Sequence, residues 1–105
     1  MIKVYQIQLT DLEISVANEG GSTPKLEAYF DRYKPTFKAE NFQHYTHVAN
    51  IFTDDMEEAF ALMNLWSDPT KFEKLGRCSS MSVGDILEME DGTKFRCASF
   101  GFEQF

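Results

Sequence analysis

The stretch Ser80-Met81-Ser82-Val83-Gly84-Asp85-Ile86-Leu87-Glu88-Met89-Glu90-Asp91-Gly92-Thr93-Lys94-Phe95-Arg96-Cys97-Ala98 reads as one β-hairpin, and its register sets the fold class. A two-residue Asp91-Gly92 turn would place Leu87 opposite Arg96 and Met89 opposite Lys94, mixing apolar and charged side chains on both faces. A three-residue Glu90-Asp91-Gly92 loop, with Gly92 left-handed in a bulge, places Leu87 opposite Phe95 and Glu88 opposite Lys94. One face then carries Leu87, Met89, Phe95 and Cys97, and the other Ile86, Glu88, Lys94 and Arg96. The second register is preferred, because a strand with one buried face keeps its apolar residues in phase.

Working outward, Ile2–Leu9 is a strand with Tyr5, Ile7 and Leu9 on one face and Ile2 and Val4 on the other, a pattern that suits the middle of a sheet. Thr10-Asp11-Leu12-Glu13 matches a capping box, which predicts a short helix to about Asn18, broken at Gly20-Gly21-Ser22. Thr23-Pro24 opens a second helix with Leu26, Tyr29, Phe30 and Tyr33 on one stripe and Pro35 as its stop. Residues 34–44 read as a loop, and Tyr45–Phe52 as a strand. Thr53-Asp54 caps a third helix with Met56, Ala59, Phe60 and Met63 inward, and residues 64–79 read as irregular or weakly helical. The expected architecture is α+β: one domain over residues 1–105, a small antiparallel sheet with a C-terminal β-hairpin, covered on one side by two or three helices.

At 105 residues, with ten Phe, four Tyr, one Trp and 43% hydrophobic content, the chain has the material for one packed core. Its net charge of −7 is uneven: residues 1–53 hold six acids and five bases, residues 54–105 eleven acids and five bases. Direct nucleic-acid binding is disfavoured, since backbone phosphates are held by Lys and Arg patches. Asp54, Asp55, Glu57 and Glu58 form one acidic cluster, and Asp85, Glu88, Glu90 and Asp91 another. Much of the first is explained by the positive end of a helix macrodipole. The two clusters lie in the same half of the chain, so Asp54, Asp55, Glu57, Glu58, Glu88, Glu90 and Asp91 are the candidate surface for a basic protein partner.

No apolar run approaches the roughly 20 residues of a membrane span, and the N-terminus lacks the features of a signal peptide. The expected compartment is the cytoplasm, so Cys78 and Cys97 are read as thiols, Cys97 on the apolar hairpin face. Homo-oligomerisation is compatible with the sequence. His44 and His47 form an H-x-x-H pair, but in an extended segment the rings point to opposite sides and no further ligand motif completes a set. No metal or other cofactor is expected. Asp85 is read as a turn residue whose carboxylate bonds backbone N–H groups, with Ser80 and Ser82 doing likewise, in preference to a general base. Phe100, Phe102 and Phe105 are read first as packing of the last strand and second as a docking patch.

A family resemblance rests on the order of these pieces. An N-terminal strand, Val48-Ala49-Asn50-Ile51, an acidic-start helix ending Phe60-Ala61-Leu62-Met63-Asn64, then Ser80-Met81-Ser82-Val83-Gly84-Asp85 and a hairpin closing on Phe100-Gly101-Phe102 resemble the YodL-like domains. These are small domains of phages, conjugative elements and their large polyvalent proteins. The resemblance covers residues 1–9 and about 45–105, with Ser80, Ser82, Gly84 and Asp85 its most specific positions. Where the family often has a histidine before the first serine, this chain has Ser79, so no site built on that imidazole carries over. The resemblance implies a mobile-element setting, in the host cytosol if phage-encoded, and supplies no established reaction; the default reading is a non-enzymatic accessory protein acting by protein binding. Two alternatives stand beside it: an acidic nucleic-acid mimic inhibiting a host defence enzyme, and a small RNA-linked domain of the ASCH or PUA type, suggested by Val-Gly-Asp-Ile-Leu leading into a hairpin.

Overall fold

A computed structural model describes residues 1–32, 34, 37–65 and 68–105. Six antiparallel strands form one sheet: β1 Ile2–Gln6, β2 Thr46–Ile51, β3 Phe72–Lys74, β4 Ile86–Glu88, β5 Lys94–Cys97 and β6 Phe102–Gln104. Their order is β3-β2-β1-β4-β5-β6, which puts β1 and β4 at the centre. Three α-helices accompany them, α1 Asp11–Asn18, α2 Pro24–Asp31 and α3 Met56–Leu65, with 3-10 turns at Ala39–His44 and Pro69–Lys71. No helix of the described residues is long and apolar enough to cross a membrane.

The hairpin has the expected register: Leu87 faces Phe95 and Glu88 faces Lys94. Gly92 sits at φ +88°, and Met89 N bonds Thr93 O at 2.8 Å, so the loop is Glu90-Asp91-Gly92. The Asp91 carboxylate accepts from Thr93 N at 2.9 Å and closes the turn locally. The α1 capping box is also complete, with Thr10 Oγ1 accepting from Glu13 N at 3.2 Å and Thr10 N donating to Glu13 Oε1 at 2.8 Å. In α2, Thr23 Oγ1 accepts from Leu26 N at 3.2 Å, with proline at the first position.

Other expectations need correction. The Ile2–Leu9 strand ends at Gln6. The segment 34–44 is not all loop, since Ala39–His44 winds into a 3-10 helix. The Thr53-Asp54 cap is displaced by one residue: Asp55 Oδ1 accepts from Glu57 N at 2.9 Å, while Thr53 Oγ1 accepts from Asp55 N. The helix's inward face also differs: Ala59, Leu62 and Met63 are buried, Met56 is partly buried, and Phe60 points outward. In α2 the buried residues are Leu26 and Ala28, while Phe30 is exposed. Tyr33 and Pro35, the expected end of that stripe and its stop, lie outside the described residues. Within the segment 64–79 read as irregular or weakly helical, Phe72–Lys74 forms the edge strand β3, while the expected last strand, β6, forms the other edge.

Core packing follows strand alternation. Ile2, Val4, Ile51, Ala49 and Leu87 share the face on which Ala59, Leu62 and Met63 of α3 pack. Each large aliphatic side chain buried here contributes about 1.5–3 kcal/mol relative to exposure. Val48 and Ala49 are adjacent yet both buried, because the β1–β2 register shifts between Val4 and Tyr5 and leaves Val48 as an extra residue. Ile86 and Leu87 are also adjacent and both buried, but here the second face has its own cover. Helical cover is thus divided: α3 takes the core face, and the end of α2 with its following 3-10 turn meets the other. Arg96 Nη1 donates to the carbonyls of Arg32 and Lys34 at 3.2 and 3.1 Å, and the Phe42 ring stands edge-on to Tyr5 at 4.8 Å.

Candidate functional site

The Ser80–Asp85 motif folds into a clamp that ties the start of β4 to the end of its neighbour β1. Asp85 N bonds Ser82 O at 3.1 Å across a turn whose third residue, Gly84, sits at φ +93°. A Cβ there would lie 2.5 Å from Arg32 Cβ and 2.7 Å from Arg32 O, so only glycine lets this turn abut the end of α2. The Asp85 carboxylate is 2% exposed. Its Oδ2 accepts from Ser82 N at 3.0 Å and from Gln6 Nε2 at 2.9 Å. Gln6 in turn donates to Ser79 O at 3.0 Å and accepts from Ser79 N at 3.1 Å. Burial pushes the Asp85 carboxyl up to about 6, against the opposing pull of the Gln6 and Ser82 bonds and the Arg32 charge.

This is the backbone-bonding role expected of Asp85, and its partners exclude free access to substrate. The serines differ from expectation. Ser80 and Ser82 are exposed, and Ser82 meets Asp85 through its backbone N–H. Gln6 is the residue that sequence reasoning missed. A polar side chain in phase with Ile2 and Val4 was its only signal. Tyr45 joins the same cluster, its hydroxyl donating to Gly84 O at 2.5 Å, and burial pushes it above the usual phenol range.

The acidic residues are partly gathered and partly dispersed. Asp54 and Glu90, far apart in sequence, converge on the Met1 amine at 3.1 and 2.7 Å. This brings the start of α3 beside the hairpin tip, with Asp91 exposed next to Glu90. Asp55 caps α3, and Glu57 lines an adjoining groove. Glu88 is elsewhere. It lies on the opposite sheet face, where it accepts from the Tyr5 hydroxyl at 2.8 Å and pairs with Lys94 at 3.6 Å. Glu58 turns toward Lys71 at 3.9 Å. The candidate acidic surface is therefore Asp54, Asp55, Glu57, Glu90 and Asp91.

The groove that Glu57 lines is small, of mixed polarity and about 140 Å³, and is completed by Phe60, Cys97, Ala98, Ser99, Gly101 and Phe102. The three C-terminal phenylalanines separate here. Phe102 packs against the core, Phe105 stands edge-on to Phe37 at 5.2 Å, and Phe100 at the turn between β5 and β6 is 96% exposed. Phe60 is 37% exposed on the groove wall. Two bulky rings, Phe60 and Phe100, are thus presented to solvent, Phe60 beside Glu57.

Neither thiol has the setting of a nucleophile. Cys78 and Cys97 are both free, and burial raises both, Cys97 to about 11 with the Asp85 and Glu57 charges adding to it. His44 ends the 3-10 turn and is not extended as expected. His47 lies in β2 with its ring 5.0 Å from Tyr5 and its Nε2 2.8 Å from Asn50 Oδ1. Among the described residues no three His, Cys, Asp or Glu side chains gather into a ligand set.

Comparison with protein-family models, with curated proteins and with solved structures finds no match to this chain.

Proposed function

We propose that this domain is a non-enzymatic accessory protein that binds a basic protein partner through the exposed Phe100 ring, the groove lined by Phe60 and Phe102, and the carboxylates Asp54, Asp55, Glu57, Glu90 and Asp91. The observation that carries this reading is Phe100, a large aromatic ring 96% exposed on a turn while its neighbour Phe102 is packed. Exposed aromatics bordered by charge are the usual anchors of protein interfaces. Asp54, Asp55, Glu57, Glu90 and Asp91 add a field that steers a cationic partner toward those anchors. The resemblance to YodL-like domains supports the accessory role and a mobile-element setting in the cytosol.

The nucleic-acid mimic is less well supported. A mimic needs a row of unneutralised carboxylates, whereas Glu58 and Glu88 are paired with lysines and an amine sits between Asp54 and Glu90.

The test is capture from lysate with the wild type, Phe100→Ser, the double variant Glu57→Lys with Glu90→Lys, and Glu19→Lys as a distant charge control. A partner held by the wild type and the control, lost with Phe100→Ser, and bound more slowly by the double variant at low salt is the expected result. The charge effect should fade as the Debye length falls below roughly 10 Å, near 0.1 M salt. Equal retention by all four proteins would overturn the proposal.

A further inference from the structure

A second groove lies on a different part of the molecule, between the chain that follows β1, the helix α1 and Tyr29 of α2. It encloses about 350 Å³ and is lined by Gln6, Ile7, Gln8, Leu9, Ile14, Tyr29, Arg77 and Ser79. Its long walls are aliphatic. Ile14 is 44% exposed toward it, and α1 buries none of its residues. Its floor is the buried amide of Gln6, held by Ser79 and Asp85.

One cation stands in this apolar setting. Lys25, Lys34, Lys71, Lys94 and Arg96 each reach a carboxylate. Among the described residues Lys3, Lys38 and Arg77 reach none; of these three it is Arg77 that lines this groove, and its guanidinium makes one long bond, Nη2 to the Leu9 carbonyl at 3.3 Å. In a chain of net charge −7, a guanidinium left without a carboxylate at the mouth of an aliphatic groove is complementary to an anion carrying an apolar tail. Guanidinium geometry matches a carboxylate through two parallel N–H donors. The volume is at the small end of ligand sites, so the tail is short.

We infer that this groove binds a free medium-chain monocarboxylate, its carboxylate on Arg77 and its alkyl chain along Ile7, Leu9 and Ile14. The site is independent of the Phe60–Phe100 surface and shares no residue with it.

The test is titration of the whole domain with octanoate, followed by amide chemical shifts, alongside octanol and an acetylated peptide ending in a leucine carboxylate. The shifts should map to residues 6–9, 14, 29 and 77–79. Arg77→Gln should weaken octanoate about tenfold or more, the scale of a charge-assisted bond pair, and leave octanol unchanged. Arg77 is exposed, so this variant keeps the fold, and Ile14→Asp gives a second disruption from the opposite wall. Octanol binding as tightly as octanoate, no response to millimolar octanoate, or unchanged affinity in Arg77→Gln would overturn the inference. Tighter binding of the peptide than of octanoate would overturn the assignment to a free acid.

Discussion

Replacing Asp85 with Asn should change how stability depends on pH more than it changes stability itself. The carboxyl is 2% exposed, and burial holds it at about 6 against 3.8 for the unperturbed group. An acid raised in the folded state contributes stability that is complete below the unfolded value of 3.8 and is lost as pH rises through about 6. The gap between those values corresponds to about 3 kcal/mol, an order-of-magnitude figure that needs no discount for solvent screening at a site this closed. Asn offers the same acceptor to Gln6 Nε2 and Ser82 N but does not titrate. Urea unfolding of both proteins at steps from pH 7.5 to pH 4 is the assay. The wild type should gain about 2–3 kcal/mol relative to Asp85→Asn over that range, with the change centred between 4 and 6. Glu13, Asp68 and Asp91, which local hydrogen bonds hold below the usual range, destabilise both proteins alike at low pH and cancel in the difference. Parallel curves for the two proteins would refute the claim that Asp85 is buried as a costly ion.

The two positive-φ glycines of the hairpin region should separate by cause. Gly92→Val meets no neighbour within 4 Å, so left-handed strain alone should cost about 1–2 kcal/mol in chemical denaturation. Gly84→Ala adds a clash with the Arg32 backbone to the same strain and should cost more than Gly92→Ala in parallel measurements; equal costs would show that the Arg32 contact yields freely. Thr10→Ala removes the capping box, worth about 1 kcal/mol to its helix. Since α1 buries no residue, hydrogen exchange should speed up at residues 11–18 while the global unfolding midpoint stays put.

What the chain encodes locally was readable. The hairpin register follows from alternation and the chemistry of three loop residues, and the capping box of α1 closes within four residues, so both depend on groups near each other in sequence. The same holds for Asp85 as a backbone-bonding turn residue, because its partner Ser82 is three positions away. Its other partner, Gln6, is 79 positions away and has no local signature.

The sequence by itself thus determined the α+β class, the central position of β1, the hairpin register and the starts of α1 and α2, all set by short-range hydrogen bonds and side-chain periodicity. Only the tertiary structure decided which way α3 faces, since Phe60 and Leu62 are both apolar and packing on the sheet chooses between them. It also decided that β3 exists, because this short edge strand has too little pattern of its own and forms by pairing with a neighbour already in place. And it joined Asp54 to Glu90 while sending Glu88 to the opposite face: alternation turns Glu88 away from α3, and the centrally placed β1 carries the Met1 amine to where the two loops meet.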